Sequence, residues 1–187
     1  MVTNMDEQRW IRQIQKKASE PAADALVSKY YKEMYAFHYK QTMNVELSLD
    51  LTQELFIGAL QAIHNYDSSK ASFRTWLYKL ASNRLVDYYR SKSYRYAQLS
   101  QPLGEYEVED THDFSISLEY KEDVEQVIGI VNSLDAKLQQ IIRLKLFGDY
   151  TLPEIADMES IPLSTVKTRY YAALRFIRKE MEAVHDA

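Results

Sequence analysis

The stretch TLPEIADMESIPLSTVKTR, residues 151–169, decides the fold of this chain of 187 residues. Thr151 and Glu154 have the spacing of a capping box, in which each side chain bonds the other residue's backbone, so a helix is predicted to begin here. Pro153 then falls in the first turn, where its missing N–H costs nothing. The pattern predicts a short helix over residues 151–158.

A second, longer helix is predicted over residues 163–183, after a break of four residues. Its apolar side chains recur at helical spacing and should face a core: Val166, Tyr170, Ala173, Leu174 and Ile177. The opposite face carries Lys167, Thr168, Tyr171, Arg175 and Arg178. A helix-turn-helix places such a face in the major groove of DNA, where lysine suits guanine or phosphate and threonine suits a base edge. An antiparallel hairpin with a solvated basic face explains the same pattern, and the absence of glycine from the turn counts against the helix-turn-helix.

Helical spacing extends over most of the remaining chain. Residues 51–63 and 73–90 each carry an amphipathic stripe, and Ser72 can cap the second of them. Further helices are predicted over residues 118–132 and 135–147. Four glycines and four prolines leave little material for turns. The sequence therefore predicts an all-α fold of two small helical modules.

Residues 93–117 lose this periodicity and are predicted to form a flexible linker. Residues 104–125 hold nine carboxylates and one lysine, so this segment carries −8 while the whole chain carries −4. Residues 73–96 carry six cations against Asp87 alone. A basic block beside an acidic segment fits a nucleic-acid binder, but solvated helix faces explain the charges equally well.

Composition argues against several classes of protein. The chain has no cysteine, its four histidines are scattered, and no glycine-rich phosphate loop or nucleophile elbow occurs. We therefore expect no enzyme, no metal and no cofactor. No apolar run reaches the length of about 18 residues that spans a membrane, and the first ten residues are polar and acidic. These features predict a soluble, cytoplasmic protein without membrane insertion.

The helix over residues 73–90 carries a second candidate surface. Its members lie three or four residues apart and share one stripe: Trp76, Lys79, Asn83, Asp87 and Arg90. An indole, an amide and two cations suit the stacking and hydrogen bonding of unpaired bases. A solvated face with one partly buried tryptophan remains the alternative. Arg84 falls inside the apolar stripe, and the sequence indicates no role for it.

These stretches resemble a known family. Four segments resemble region 2 of bacterial extracytoplasmic-function (ECF) sigma factors: Asp50-Leu-Thr-Gln-Glu54-Leu-Phe56, Phe73-Arg-Thr-Trp-Leu77, Ala81-Ser-Asn83 and Asp87-Tyr-Tyr-Arg90. Three more resemble their region 4: Ser133-Leu-Asp135, Tyr150-Thr-Leu-Pro-Glu-Ile-Ala156 and Ser164-Thr-Val-Lys-Thr-Arg169. The order and the intervening linker are those of the family.

The resemblance implies a dissociable initiation subunit of RNA polymerase with no chemistry of its own. It implies that residues 1–95 form region 2, residues 96–117 the acidic linker and residues 118–187 region 4. In the family the linker lies near the polymerase's RNA exit path, where these carboxylates would mimic nucleic acid. The resemblance also implies an anti-sigma factor as a partner, beside core polymerase and promoter DNA, and no small-molecule substrate.

Site residues follow by the same resemblance. Docking on the clamp helices of the largest polymerase subunit is expected of Asp50, Gln53, Glu54 and Phe56. Capture of the single-stranded −10 element is expected of Trp76, Tyr78, Lys79, Asn83, Arg90 and Lys92. Reading of the duplex −35 element is expected of Lys167, Thr168, Arg169, Tyr171 and Arg175, with Arg169 on the flank nearer phosphate. Ser164 and Ala172 depart from the family pattern, which leaves the −35 preference open. A helix-turn-helix regulator that acts without polymerase is the alternative function.

Overall fold

A computed structural model describes residues 4–91 and 118–185, and the side chains of residues 5–91 and 123–183. Within these residues the protein is all-α, as the sequence predicts. The helices are α1 (Asn4–Lys17), α2 (Glu20–Thr42), α3 (Val45–Ala62) with a 3-10 turn (Ile63–Asn65), α4 (Phe73–Arg90), α5 (Leu118–Ser133), α6 (Ala136–Leu146), α7 (Leu152–Glu159) and α8 (Leu163–His185). The predicted linker and Lys92 lie outside the described residues.

Side-chain caps explain where several helices begin. The Ser72 hydroxyl accepts a bond from the Thr75 N–H at 3.1 Å, which confirms the predicted start of α4. The capping box is also confirmed, because the Thr151 N–H donates to Glu154 Oε2 at 2.8 Å and the Glu154 N–H donates to Thr151 Oγ1 at 3.4 Å. Such caps are each worth about 0.5–2 kcal/mol and fix the register of the apolar faces that follow.

The N-terminal module packs α1, α3 and α4 around α2. Its core contains side chains with at most 1% exposure, among them Leu26, Met34, Leu55, Leu77 and Leu85. Burying each such side chain favours folding by about 1.5–3 kcal/mol. The C-terminal module packs α8 against α5, α6 and α7, with Val131, Ile142 and Ala173 at its centre.

The two modules are packed against each other, with α4 lying against α6 and α7. Ile141, Leu144 and Tyr150 of the C-terminal module belong to the same apolar cluster as Leu77 and Ala81 of α4. The sequence predicts two modules joined by a linker but gives no indication of this contact. The contact between the modules affects which of the candidate residues are exposed.

Candidate nucleic-acid and polymerase interfaces

The turn between α7 and α8 forms without glycine. Ser160 takes a left-handed conformation, with φ 54°, and its N–H donates to the Asp157 carbonyl at 3.2 Å. The next N–H, of Ile161, donates to the Ala156 carbonyl at 3.1 Å. Glycine usually provides this conformation at a helix end because it lacks Cβ. Ser160 therefore takes the place of glycine in this turn.

The faces of α8 are divided as predicted. Val166 and Ala173 are completely buried against the module, while Lys167, Thr168 and Arg175 are exposed. Tyr171 is also exposed, to 53%, and Arg169 is half-buried on the flank. The Thr168 hydroxyl donates to the Ser164 carbonyl at 2.9 Å, so its hydrogen is used within the helix. This leaves its methyl group and its oxygen lone pairs for a partner in a groove.

A second exposed surface lies on α3. Asp50, Gln53 and Glu54 are exposed on neighbouring turns, and they are flanked by the exposed apolar side chains of Leu49, at 36%, and Ile57, at 58%. Ile57 falls outside the apolar stripe of this helix, and that deviation from helical spacing was the signal that could have identified it. The five residues together form a mixed polar and apolar patch, which we call the α3 patch.

Phe56 does not join the α3 patch. Its side chain is 6% exposed and its ring stacks on Tyr31, with centroids 6.1 Å apart. Polymerase contact is the role predicted for Phe56, but in this structure the ring belongs to the core of the N-terminal module. Phe56 lies four residues after Thr52 and three before Ala59, both of which are buried, so helical spacing places it on the inward face of α3.

Glu54 is held by a residue for which the sequence indicated no role. Arg84 of α4 donates to Glu54 Oε2 at 3.0 Å and to the Glu54 backbone carbonyl at 3.1 Å. Gly58 makes room for this guanidinium, because a Cβ at that position would lie 2.8 Å from Arg84 Nη2. The arginine therefore crosses from α4 and fixes Glu54 within the α3 patch.

The predicted −10 residues on α4 fall into an accessible and a covered set. Asn83 and Arg90 are exposed. Trp76 is half-buried, because its ring packs on Tyr66 and Phe73 with centroids 5.4 and 5.5 Å away. These three positions lie along one side of the helix and retain surface for a partner.

Tyr78 and Lys79 form the covered set: both contact the C-terminal module, and Tyr78 is buried while 35% of the Lys79 side chain stays exposed. Tyr78 is 5% exposed and its ring meets Tyr150 edge-on at 5.4 Å. Its hydroxyl donates to Glu33 Oε1 at 3.1 Å, and burial together with the Glu33 charge raises its pKa above the usual range of tyrosine. The Lys79 ammonium donates to the Met158 carbonyl and lies 3.8 Å from Glu159.

Comparison with known proteins assigns the family. Residues 26–95 match Sigma-70 region 2, and residues 125–177 match Sigma-70 region 4. The ECF RNA polymerase sigma factor SigW of Bacillus subtilis is 31% identical over 181 residues, which cover 91% of this chain and 94% of the relative. The chain belongs to the ECF sigma factors. It is an alternative sigma factor that directs promoter-specific transcription.

Solved structures share the fold of this sigma factor. A structure of CnrH in complex with the cytosolic domain of CnrY has a TM-score of 0.61 and 17% identity, and the match covers 95% of this chain and 98% of that one. A structure of RpoE from Bartonella quintana in complex with the anti-sigma factor NepR has a TM-score of 0.55 and 18% identity, covering 85% and 96%. The all-α, two-module architecture is therefore that of known sigma factors.

Other kinds of site find no support in the described part of the sigma factor. Residues 4–91 and 118–185 contain no group of three or more histidines, aspartates and glutamates that could hold a metal. No helix among them is long and apolar enough to cross a membrane.

Proposed function

We propose that the two modules divide promoter recognition between them. Residues 1–95 bind core polymerase and capture the −10 element, and residues 118–187 read the −35 element as duplex DNA. The observation that carries this proposal is the exposed face of α8, which is presented by a capped helix-turn-helix while the opposite face is buried. The protein acts in the cytoplasm and catalyses no reaction itself.

The α8 face has the chemistry of a duplex reader. Lys167 and Arg175 supply donors for guanine edges or phosphates, and the Thr168 methyl suits a thymine methyl. Tyr171, two turns into the helix, adds an aromatic surface with a polar tip. Arg169 on the flank is placed for phosphate, which positions the helix without reading sequence.

The α3 patch has the chemistry of a protein interface. Leu49 and Ile57 provide apolar area that can be desolvated, while Asp50, Gln53 and Glu54 lie between them and provide polar contacts. Protein interfaces combine a desolvated centre with polar groups that fix orientation. We assign the α3 patch to core polymerase. Phe56 contributes indirectly, because it packs in the core on the buried side of the same helix.

The −10 element is assigned to α4. Trp76 offers an aromatic face on which an unpaired base can stack, Asn83 offers an amide for a base edge, and Arg90 offers a cation for the backbone. Lys92, two residues after Arg90 in the sequence, is proposed as a further backbone contact. Tyr78 and Lys79 complete the proposed set, and in this structure both also contact the C-terminal module.

An anti-sigma factor is proposed as the regulatory partner. Two structures that share this fold are of complexes: one is of CnrH with the cytosolic domain of CnrY, and the other is of the sigma factor RpoE with the anti-sigma factor NepR. The acidic linker is proposed to lie near the RNA exit path of the polymerase. Neutralising Glu105, Glu107, Glu109 and Asp110 should then weaken initiation or the affinity for core polymerase. If neither quantity changes, the linker has no such role.

Transcription in vitro tests the proposal directly. The protein is mixed with bacterial core polymerase and a promoter library from the source genome. Initiation that depends on the added protein, with start sites that align two upstream elements, is the expected result. Absence of transcripts together with tight duplex binding by the protein alone would instead indicate a regulator that acts without polymerase.

A further inference from the structure

The outward side of α1 carries a row of cations to which the proposed function gives no role. Arg9, Arg12 and Lys16 follow one another at intervals of three and four residues, and Lys17 comes next, so they share one side of the helix. All four side chains are exposed, and together with Met5 and two glutamines they line one open depression along α1. We call these four cations the α1 stripe.

The carboxylates of α1 offset little of this charge. Glu7 is 6% exposed and lies on the inward side, where it accepts bonds from the Lys29 ammonium and, at 2.5 Å, from the Tyr30 hydroxyl. Asp6 lies 3.6 Å from Arg9, at the N-terminal end of the helix. The charge of the α1 stripe is therefore compensated at one end only.

The rest of the α1 stripe has no ion-pair partner among the described residues, which leaves Arg12, Lys16 and Lys17. The helix dipole favours the two lysines, because they lie in the last turn, but Arg12 lies before that turn and gains little from it. At a rise of about 1.5 Å per residue, the α1 stripe extends over about 10 Å from Arg9 to Lys16. One strand of B-form DNA carries about three phosphates over such a length.

The composition of this surface favours a phosphate backbone over a lipid or a protein partner. A helix on a membrane inserts an apolar face, but the apolar side of α1 is used within the module, where Ile11 and Ile14 are 4% and 6% exposed. Protein interfaces have few charges at their centre, whereas the centre of this surface is charged. The exposed amides of Gln8 and Gln13 line the same depression, and glutamine is a usual donor to phosphate and sugar oxygens.

The α1 helix is also fastened to the turn that supports Trp76. The Gln15 side-chain amide donates to the Ile63 carbonyl at 2.8 Å and to the Tyr66 carbonyl at 3.2 Å. The Tyr66 hydroxyl donates to the Ala71 carbonyl at 2.9 Å, and the Tyr66 ring packs on Trp76 with centroids 5.4 Å apart. These contacts hold α1 beside the end of α4 at which Trp76 is proposed to stack on an unpaired base.

We propose that the α1 stripe is a further DNA-binding site, which holds the phosphate backbone of the promoter strand on the Trp76 side of the bases captured by α4. The proposal rests on the −10 role assigned above to α4. The site adds affinity without reading sequence, because phosphate contacts carry no information about the bases. A strand along α4 is then held by cations at both ends, by the α1 stripe and by the exposed Arg90.

The test variant is the double substitution Arg12→Gln with Lys16→Gln. Glutamine keeps a long polar side chain and a high helix propensity, so α1 should remain folded, and the unfolding temperature checks this. The matched control, Lys32→Gln with Lys40→Gln, removes two exposed cations from α2 of the same module. Each protein is assembled with core polymerase and titrated with a labelled fork-junction DNA. This DNA carries a single-stranded −10 element from a promoter that the transcription experiment identifies.

The α1 double variant should weaken DNA binding about tenfold at about 0.1 M salt, and by the same factor on a native and on a mutated −10 element. The slope of log affinity against log salt should fall by about 1.4, since each phosphate contact to a single strand contributes about 0.7. The control should change neither quantity. Uncharged methylphosphonates are also placed beside the −10 element, on each side in turn. On one side they should weaken binding by the wild type but not by the α1 variant.

Three results would overturn the proposal. One is DNA binding by the α1 variant that equals that of the control. Another is an equal effect of the methylphosphonates on wild type and variant, because the cations would then act on the fold or on polymerase. The third is loss of binding to phosphatidylserine vesicles in the α1 variant with wild-type DNA binding, which would identify a membrane surface.

Asn83→Ala separates this proposal from the −10 assignment of α4. If the preference for the native −10 element falls in Asn83→Ala while the α1 variant loses affinity on both elements, the two roles are distinct and both stand. If Asn83→Ala keeps that preference and the α1 variant still loses affinity, the −10 assignment fails and only the phosphate contact of α1 is retained.

Discussion

Arg84 holds Glu54 by two contacts, one to its carboxylate and one to its backbone carbonyl, at 3.0 and 3.1 Å. The pair joins α4 to α3 at the edge of the α3 patch, where Glu54 is proposed to meet polymerase. Because the Glu54 carboxylate accepts a bond from Arg84, the orientation of this side chain is fixed before a partner binds. Binding to a partner then loses less side-chain entropy than it would from a freely rotating glutamate.

Arg84→Gln should lower the affinity for core polymerase by about two- to fivefold, since an exposed ion pair is worth up to about 1 kcal/mol. Gly58→Ala should have a similar effect, because the added Cβ displaces the same guanidinium. Arg84→Lys keeps the charge but cannot make both contacts, so its affinity should fall between those of Arg84→Gln and the wild type. Affinity is measured by titrating labelled protein with core enzyme, and unfolding temperature is measured beside it. Wild-type affinity in both Arg84→Gln and Gly58→Ala would contradict the positioning role.

Lys167→Ala should weaken recognition of the −35 element by about 1–3 kcal/mol on the native sequence, and by less on a mutated element. Lys167 is exposed on α8 near the turn, where a recognition helix meets base edges. Lys179→Ala removes an exposed lysine farther along the same helix and is the control. The measurement is promoter binding by holoenzyme on both elements at several salt concentrations. Equal losses on the two elements, with a reduced salt slope, would limit Lys167 to a phosphate contact.

Asn83→Ala should impair open-complex formation while leaving core binding intact. The exposed amide of Asn83 lies on the same side of α4 as Trp76, and contacts to unpaired bases are worth about 1–3 kcal/mol each. Open complex is followed by permanganate reactivity of unpaired thymines, and core binding by titration. Asn65→Ala, at another exposed asparagine of the same module, should change neither quantity. If core binding is lost instead, Asn83 belongs to the polymerase surface.

The sequence was informative about each helix and uninformative about how the helices of different modules meet. The capping box, the start of α4 and the buried and exposed sides of α8 follow from local spacing, and the structure confirms them. Periodicity shows that a face is buried but not which partner buries it. Ser82, Gln140 and Arg143 are polar, so no apolar pattern marks them, although all three lie inside the interface. The contact of Arg84 with Glu54 could not be predicted for the same reason, since both residues are polar.

His38 should make the stability of the protein depend on pH between about 6.5 and 4. Its ring is completely buried, and its Nδ1 lies 2.9 Å from Thr52 Oγ1. Because the Thr52 hydroxyl donates to the Ser48 carbonyl, its oxygen is the acceptor and His38 Nδ1–H is the donor. Burial, with the nearby charges of Arg84 and Arg143, lowers the pKa of His38 from 6.5 to about 4.

Below pH 6.5 the unfolded chain therefore binds a proton that the folded chain does not bind until about pH 4. The free energy of unfolding should fall as the pH drops through this window, by about 3 kcal/mol in all, and this contribution should level off below it. His38→Gln removes the titration and should flatten the wild-type dependence by that amount. The exposed His64→Gln is the matched control and should keep the dependence. Urea unfolding at a series of pH values measures the effect, and parallel curves for wild type and His38→Gln would show that another group is responsible.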